Sequence, residues 1–328
     1  MTLIRRTLLQ SLSASAVVAA MPQAAPAQGQ AYPVRAVRVI VTTGPGGQGD
    51  TTARLVATRL SEALGQSFYV ENIGGGGGNI AMGTAARAAP DGYTILAATS
   101  NLVTNVSLYS KVPYDPDKDF APISLLCSSP HLLTVHPSVP AKNVNELIAL
   151  AKANPGKFSF ASAGRGTPAH LAGELFKLTF GLDITHVPFN GGGPATAATV
   201  GGHVPIGVPA LPTGVTYVRG GNLRALALFS SRRSSALPEV PTMAEASGHD
   251  LPADIINGFV VPSGTPKSVI DLLYREVIKV MAMPDTREKL AGMGFDPVAS
   301  TPEEFDVWMR RELNRWSKLI RDANISMQ

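Results

Sequence analysis

The sequence predicts two α/β lobes built on mostly parallel sheets. The roughly three hundred residues that follow a leader-like N-terminus exceed what one hydrophobic core usually holds. Apolar strand-like runs alternate with helical faces along the chain, and glycine-rich turns mark the junctions. No sequence repeat is present; the same strand–turn–helix unit serves both halves.

The leader comes first. Arg5 and Arg6 form a positive segment, Leu8 to Ala20 is a short run of small apolar residues, and Ala25-Pro26-Ala27 is a cleavage-like site. That order is the grammar of a secretory signal peptide over residues 1–27, and the run is too short to span a bilayer. Ile4 and Gln10 fit a twin-arginine signal poorly, so Sec export is expected. Cys127 is the one cysteine, which rules out a disulfide framework and a lipid anchor at the cleavage site. The exported chain is expected to begin near Gln28 and to reside in the periplasm.

Val37 to Thr42 reads as a strand buried on both faces. Gly44-Pro45-Gly46-Gly47-Gln48-Gly49-Asp50 breaks it, and Val56, Leu60, Ala63 and Leu64 make the face of a helix ending at Gly65. Ser67 to Asn72 is a second strand, followed by five glycines (74–78) and a helix from Asn79. Tyr93 to Thr99 is a third strand. Asn143 and Glu146 form a capping-box pattern for a helix ending near Asn154-Pro155-Gly156. Phe158 to Ala161 is the next strand, and Thr167-Pro168 supplies an N-cap and a first-turn proline. His186 to Phe189 is broken by Gly191 to Gly193 before a helix at Pro194. Leu223 to Phe229 is a late strand. Thr265-Pro266 and Thr301-Pro302-Glu303-Glu304 open the last two helices. On the second of these, Trp308 and Trp316 share a face and read as packing residues.

Composition narrows the function. The net charge of +4 is spread without a basic block and aromatics make up 6%, so nucleic acid is not expected as a partner. No stretch beyond the leader reads as transmembrane. Four glycine-rich turns, at 44–49, 74–78, 164–166 and 191–193, each join a strand to a helix. Ligands of open α/β sheets bind beyond the carboxyl ends of strands, and helix N-termini there offer unpaired N–H groups to an anion. The same turns are also what tight connections alone require.

Enzyme motifs are weak. No acidic residue follows the 74–78 loop as a dinucleotide fingerprint needs, no P-loop lysine is present, and Ser100 and Ser162 lack a nucleophile-elbow context. The histidines at 131, 136, 170, 186, 203 and 249 lack metal-ligand spacing, so no metal or other cofactor is expected. His170 is either a pocket residue beside the 164–166 turn or a partly buried surface histidine. Asp50 is a helix N-cap, a ligand-loop residue, or both.

The residues resemble one family along the whole chain. The matches are Tyr32-Pro33, Arg38 to Val41, Pro45-Gly46-Gly47 with Asp50, Ala53-Arg54, Gly65-Gln66, and Val70 to Asn72 with its glycines. Further matches are Pro90 to Tyr93, Pro113 to Pro116, Asp119-Phe120, Asn154 to Gly156, Ser162 to Gly164, His170 to Phe176 and His186 to Pro188. Late ones are Leu223 to Ala225, Pro241-Thr242 with Glu245, and Gly264 to Pro266. In these stretches the chain resembles the Bug-type substrate-binding proteins of tripartite tricarboxylate transporters.

That resemblance implies a two-lobe periplasmic-binding-protein type II fold with two interlobe crossings, near Cys127 to His136 and near Phe229 to Gly258. Lobe I would comprise 28–127 and 258–328, and lobe II 128–257. It implies a monomer that captures a small carboxylate (a dicarboxylate, tricarboxylate or aromatic carboxylate) for separately encoded membrane transporter subunits, without catalysis. Position by position, the ligand contacts would come from Pro45, Gly46, Gly47, Asp50, Ser100 and Asn101 in the first lobe. The second lobe would supply Ser162, Ala163, Gly166, Thr167, Pro168, Phe189, Asn190, Gly191 and Gly192, with the Ser162 hydroxyl on an anionic oxygen. After Gly201-Gly202-His203-Val204, Pro205 and Pro209 stand where relatives commonly carry aspartates. The change adds apolar surface at Pro209 and disfavours an ammonium-bearing ligand. A periplasmic sensor for a signalling receptor is the alternative reading, and a secreted α/β hydrolase a remoter one.

Overall fold

The computed structural model describes residues 32–46 and 48–326; the leader 1–27 and Gly47 lie outside the described residues. In chain order the elements are β1 (Val37–Val41), α1 (Gln48–Leu64), β2 (Phe68–Asn72), α2 (Asn79–Ala86), β3 (Thr94–Thr99), α3 (Asn101–Leu108), β4 (Phe120–Ser129) and β5 (His131–Val135). They continue with α4 (Val144–Ala153), β6 (Phe158–Ser162), α5 (Pro168–Phe180), β7 (Ile184–Pro188), α6 (Gly192–Val200), β8 (Ile206–Gly207), α7 (Leu211–Arg219) and β9 (Arg224–Phe229). The last are α8 (Met243–Ser247), β10 (Ile255–Pro262), α9 (Lys267–Ala282), α10 (Pro284–Gly292), β11 (Asp296–Pro297) and α11 (Pro302–Asp322).

Two sheets organise these elements, in the orders β11-β4-β10-β3-β1-β2 and β7-β6-β8-β5-β9. Alternation decides the packing of the first. Val37, Val39 and Val41 face α1 and α9, while Ile40 faces Met82 of α2 and Leu102 of α3. The second sheet is covered by α4 and α5 on one side, through Leu147, Leu171 and Phe176, and by α6 and α7 on the other. Helix α11 lies along α3 and β4, and its last turns reach α5 of the second sheet. Trp316 is buried there, as its helix face predicted.

The chain passes between sheets twice. Pro130 alone separates β4 from β5, and the segment after β9 returns to β10. Ser128 and Ser129 pair with Ile256 and Ile255, so the first sheet reaches past Cys127 and Gly258. β1, β2 and β3 are parallel, and β4 runs with them because both β3 and β4 oppose β10. In the second sheet β6, β7 and β8 are parallel and β5 is reversed against both β8 and β9. The strands are thus mostly parallel, with one reversed strand inside each sheet, β10 and β5, and the short β11 also reversed at the edge of the first. Strands β5 and β10 each directly follow a crossing: a chain that leaves one carboxyl edge and enters the other sheet at its carboxyl edge must run backwards there. As a result, the carboxyl edges of the two sheets are joined to each other at both crossings.

Two of the expected helix caps form in full. Thr301 and Glu304 form a reciprocal capping box, and Thr167 caps α5 through the N–H of His170 with Pro168 at the first helical position. Asn143 accepts from the Glu146 N–H, although the Glu146 carboxylate reaches Lys142 N at 2.6 Å rather than Asn143 N. Thr265 differs: its hydroxyl donates to Pro262 O at 2.7 Å, and Pro266 takes the cap position of α9. Helix α6 begins at Gly192, ahead of Pro194, which a first-turn proline permits.

Candidate functional site

The carboxyl edge of the first sheet carries the loop from Thr42 to α1. Asp50 is buried inside the first turn of α1, which begins at Gln48, so it is not the N-cap. Its carboxylate reaches back to accept from Gly46 N at 2.8 Å, and also accepts from Arg54 Nε at 2.9 Å and Asn72 Nδ2 at 2.8 Å. Burial alone would raise the Asp50 pKa; the bonds from Arg54, Gly46 and Asn72 outweigh it and hold the group below the ordinary carboxylate range. Asn72 Nδ2 bonds Thr43 O as well, so Asp50 and Asn72 together fix the loop. Next to it, Gly75 to Gly78 all have positive φ, which glycine alone adopts freely, and Gly77 O accepts from Asn101 and Asn105 at 3.1 and 3.0 Å. Ser100 is buried: its hydroxyl donates to Asp254 O and accepts from Ile256 N, both at 3.2 Å, tying β3 to the returning crossing.

On the second sheet the loops after β6 and β7 lie side by side. Phe189 N donates to Ser162 O and Gly191 N to Ala163 O. Ser162 is fully buried, and its Oγ lies 2.7 Å from His186 Nε2 and accepts from Gly164 N at 3.3 Å. Thr167 Oγ1 donates to Gly164 O at 2.7 Å while accepting from His170 N at 3.3 Å. Gly166 N donates to His170 Nδ1 at 3.0 Å. Pro209 is buried against Gly214 of α7 and adds no open apolar surface.

The expected site residues therefore divide. Pro45, Gly46, Asn101, Ala163, Gly166, Thr167, Pro168, Phe189, Asn190, Gly191 and Gly192 keep exposed surface at the joined edges. Asp50, Ser100, Ser162, His170 and Pro209 are buried, and the polar ones are engaged within the protein, so they act as supports. The Ser162 hydroxyl in particular is turned inward, against the expected direct contact with an anion. Ser162→Ala is accordingly expected to destabilise the fold by about 1–2 kcal/mol, since it leaves His186 and Gly164 N–H without a partner; urea unfolding measures this.

Backbone groups remain. The N–H groups of Ala163, Arg165, Asn190, Gly192 and Gly193 have no partner among the described residues. They cluster at the paired ends of β6 and β7, where Ser162 lies opposite Pro188, and the last two open α6 with its positive dipole end. Arg165 is exposed and adds the only charge in these two loops. Unpaired amides in this arrangement are able to receive an anion, and the loop hydroxyls of Ser162 and Thr167 are already engaged within the protein.

Sequence reading missed the pair Ser162–His186, a contact with the outline of a nucleophile and base. Its serine is inaccessible, and burial, with Arg165 and Lys177 nearby, pushes His186 down to about 4. That arrangement does not meet the demands of acyl transfer. Among the described residues no cluster of His, Cys, Asp or Glu is able to hold a metal, and no helix is long and apolar enough to cross a membrane. Cys127 is buried, which pushes its thiol up to about 12.

The profile of the family described as "Tripartite tricarboxylate transporter family receptor" matches residues 52–325. Protein BugT of Bordetella pertussis is 36% identical over 307 residues, covering 93% of this chain and 94% of that protein. Among solved structures, Rpa4515 of R. palustris with adipate is 33% identical with a TM-score of 0.77, covering 90% of this chain and 99% of that one. MatC from Rhodopseudomonas palustris with bound malate is 32% identical with a TM-score of 0.73, covering 88% of this chain and 100% of that one.

Proposed function

Because the chain belongs to the tripartite tricarboxylate transporter receptor family, we propose that it is a periplasmic solute-binding protein that closes two lobes over a small dicarboxylate. The lobes are the two sheets with their helices, hinged at Pro130 and at the segment between β9 and β10. One carboxylate meets the free N–H groups of Ala163, Arg165, Asn190, Gly192 and Gly193; the first-sheet loop at Pro45 and Gly46, with Asn101, closes on the other end. The observation that carries this reading is the set of unpaired amides at an edge joined directly to the opposite lobe. An amide cradle stabilises negative charge without a competing desolvated cation, and lobe closure excludes water so that each bond strengthens. The adipate and malate held by the two similar structures have the same chemistry. The bound ligand passes unaltered to membrane subunits encoded separately, and the chain acts as a receptor without turnover.

Titration with adipate, malate, citrate and benzoate tests this. A dicarboxylate is expected to bind best and to raise the melting temperature, since a ligand specific for the folded state adds about 2.7 kcal/mol at a hundredfold excess over Kd. Chromatography after prolonged incubation is expected to return it unchanged. Chemical conversion, or no response to any of the four, overturns the reading.

A further inference from the structure

Beneath the second-sheet loops lies a pair of imidazoles that amide recognition leaves without a role. His170, in the first turn of α5, and His186, in β7, stack with ring centroids 3.8 Å apart, and Phe160 of β6 continues the stack 4.9 Å from His186. Each ring grips the ligand loop by one bond, His170 Nδ1 at Gly166 N–H and His186 Nε2 at Ser162 Oγ. The first bond decides a tautomer. A ring nitrogen that accepts from a backbone N–H carries no proton, so the His170 proton sits on Nε2, which faces Glu174 Oε1 at 3.8 Å.

Glu174 is itself buried and bonded to Lys177 at 3.2 Å. The charged groups around the pair are Arg165 from the loop, Glu174 and Lys177 from α5, and Asp183 just before β7; residues 323–326, which carry no charged side chain, close a cavity of about 410 Å³ beside them. Burial first, then His186, Arg165 and Lys177, push His170 down to about 3, while His186 falls to about 4. Both rings are neutral across the neutral range.

We propose that His170 and His186 are positioning residues for ligand binding: as neutral imidazoles they hold the Gly166 N–H and the Ser162 hydroxyl inside the lobe, so that the loop presents the amides of Ala163 and Arg165 to the anion. This rests on the anion-binding reading of these loops. Protonation of His170 would set a ring N–H against the Gly166 N–H, donor against donor, and release the loop.

The first test needs no ligand. Long-range proton–nitrogen NMR on the full chain is expected to show His170 neutral with its proton on Nε2, near neutral pH and again near pH 5. Titration close to the ordinary imidazole value, or a proton on Nδ1, overturns the assignment. The second test compares acceptors, because Asn places an oxygen near the Nδ1 position and Leu does not. In His170→Leu the Gly166 amide is expected to exchange at least about tenfold faster and adipate to bind at least about tenfold more weakly, one hydrogen bond's worth. His170→Asn is expected to stay within about threefold of wild type in both. His186→Gln and His186→Phe should repeat the contrast at Ser162. If affinity follows the melting temperature of each variant without regard to the acceptor, the role is merely structural and the proposal fails. If the wild type binds neither adipate nor malate, the dicarboxylate reading falls, while the tautomer and the Gly166 exchange rate still decide the His170 assignment.

Discussion

Gly173→Val is expected to cost about 3 kcal/mol or more, at the upper end of what overpacking a core brings. Gly173 lies in the middle of α5 with its face on the Phe160 ring. A Cβ built there would sit 2.1 Å from Phe160 Cε2 and within 2.6 Å of two further ring atoms. The clash is made by the first side-chain atom, so no rotamer relieves it. Phe160 is also fully packed, with His186 stacked on it. It has nowhere to turn, and any movement it makes passes to the imidazoles that hold the ligand loop. Thermal and urea unfolding should show the loss, with adipate binding reduced beyond detection at room temperature. Gly173→Ala combined with Phe160→Leu is expected to recover part of it, since the smaller side chain vacates the space the new Cβ takes. A non-additive double-mutant cycle of at least about 1 kcal/mol would confirm the contact; additivity would refute it.

Asp50→Ala is the second large effect, acting on the opposite edge. The change strips an acceptor from Gly46 N–H, Arg54 and Asn72 at once. Removing one partner of a buried ion pair costs about 3–5 kcal/mol, but Arg54 is 49% exposed and solvent replaces part of its share, so about 2–3 kcal/mol is expected. Binding should weaken more than the stability loss alone explains, because Gly46 is then free to leave the position proposed to face the ligand. Asp50→Asn, which keeps one acceptor, should fall between. The pH dependence has a definite sign. Asp50 is held below its ordinary value of 3.8 in the folded chain. Its contribution is therefore complete above that value and is lost as pH falls through the lower folded value. The gap between wild type and Asp50→Ala in urea unfolding should be full at neutral pH and shrink in strong acid. A gap independent of pH would show that the carboxylate's charge is not what holds the loop.

Much of the fold was legible because its signals are short-ranged. The β-branched run at β1, the Thr167-Pro168 and Thr301-x-x-Glu304 caps, and the glycine turns all have their partners within a few residues, so sequence order places them in space. Strands β4 and β5 escaped notice. Pro122 interrupts the apolar run, and is tolerated in β4 because β11 pairs only at Cys127 and Ser128 and leaves that strand one-sided there. β10 escaped for another reason: nothing local distinguishes a strand that is reversed only because the chain arrives from the other sheet.

The sequence by itself determined which loops join strand to helix at the carboxyl edges, since those loops are fixed by local turn chemistry. Which groups in those loops remain free was decided only by the tertiary structure. Ser162 meets His186 across 24 positions, Asp50 meets Asn72 across 22, and Ser100 meets Asp254 across 154. Each of these side chains looked available for a ligand, and each was claimed by a distant partner once the strands were laid side by side. A hydrogen bond needs its partner within about 3 Å, and only the packed sheets bring such residues that close.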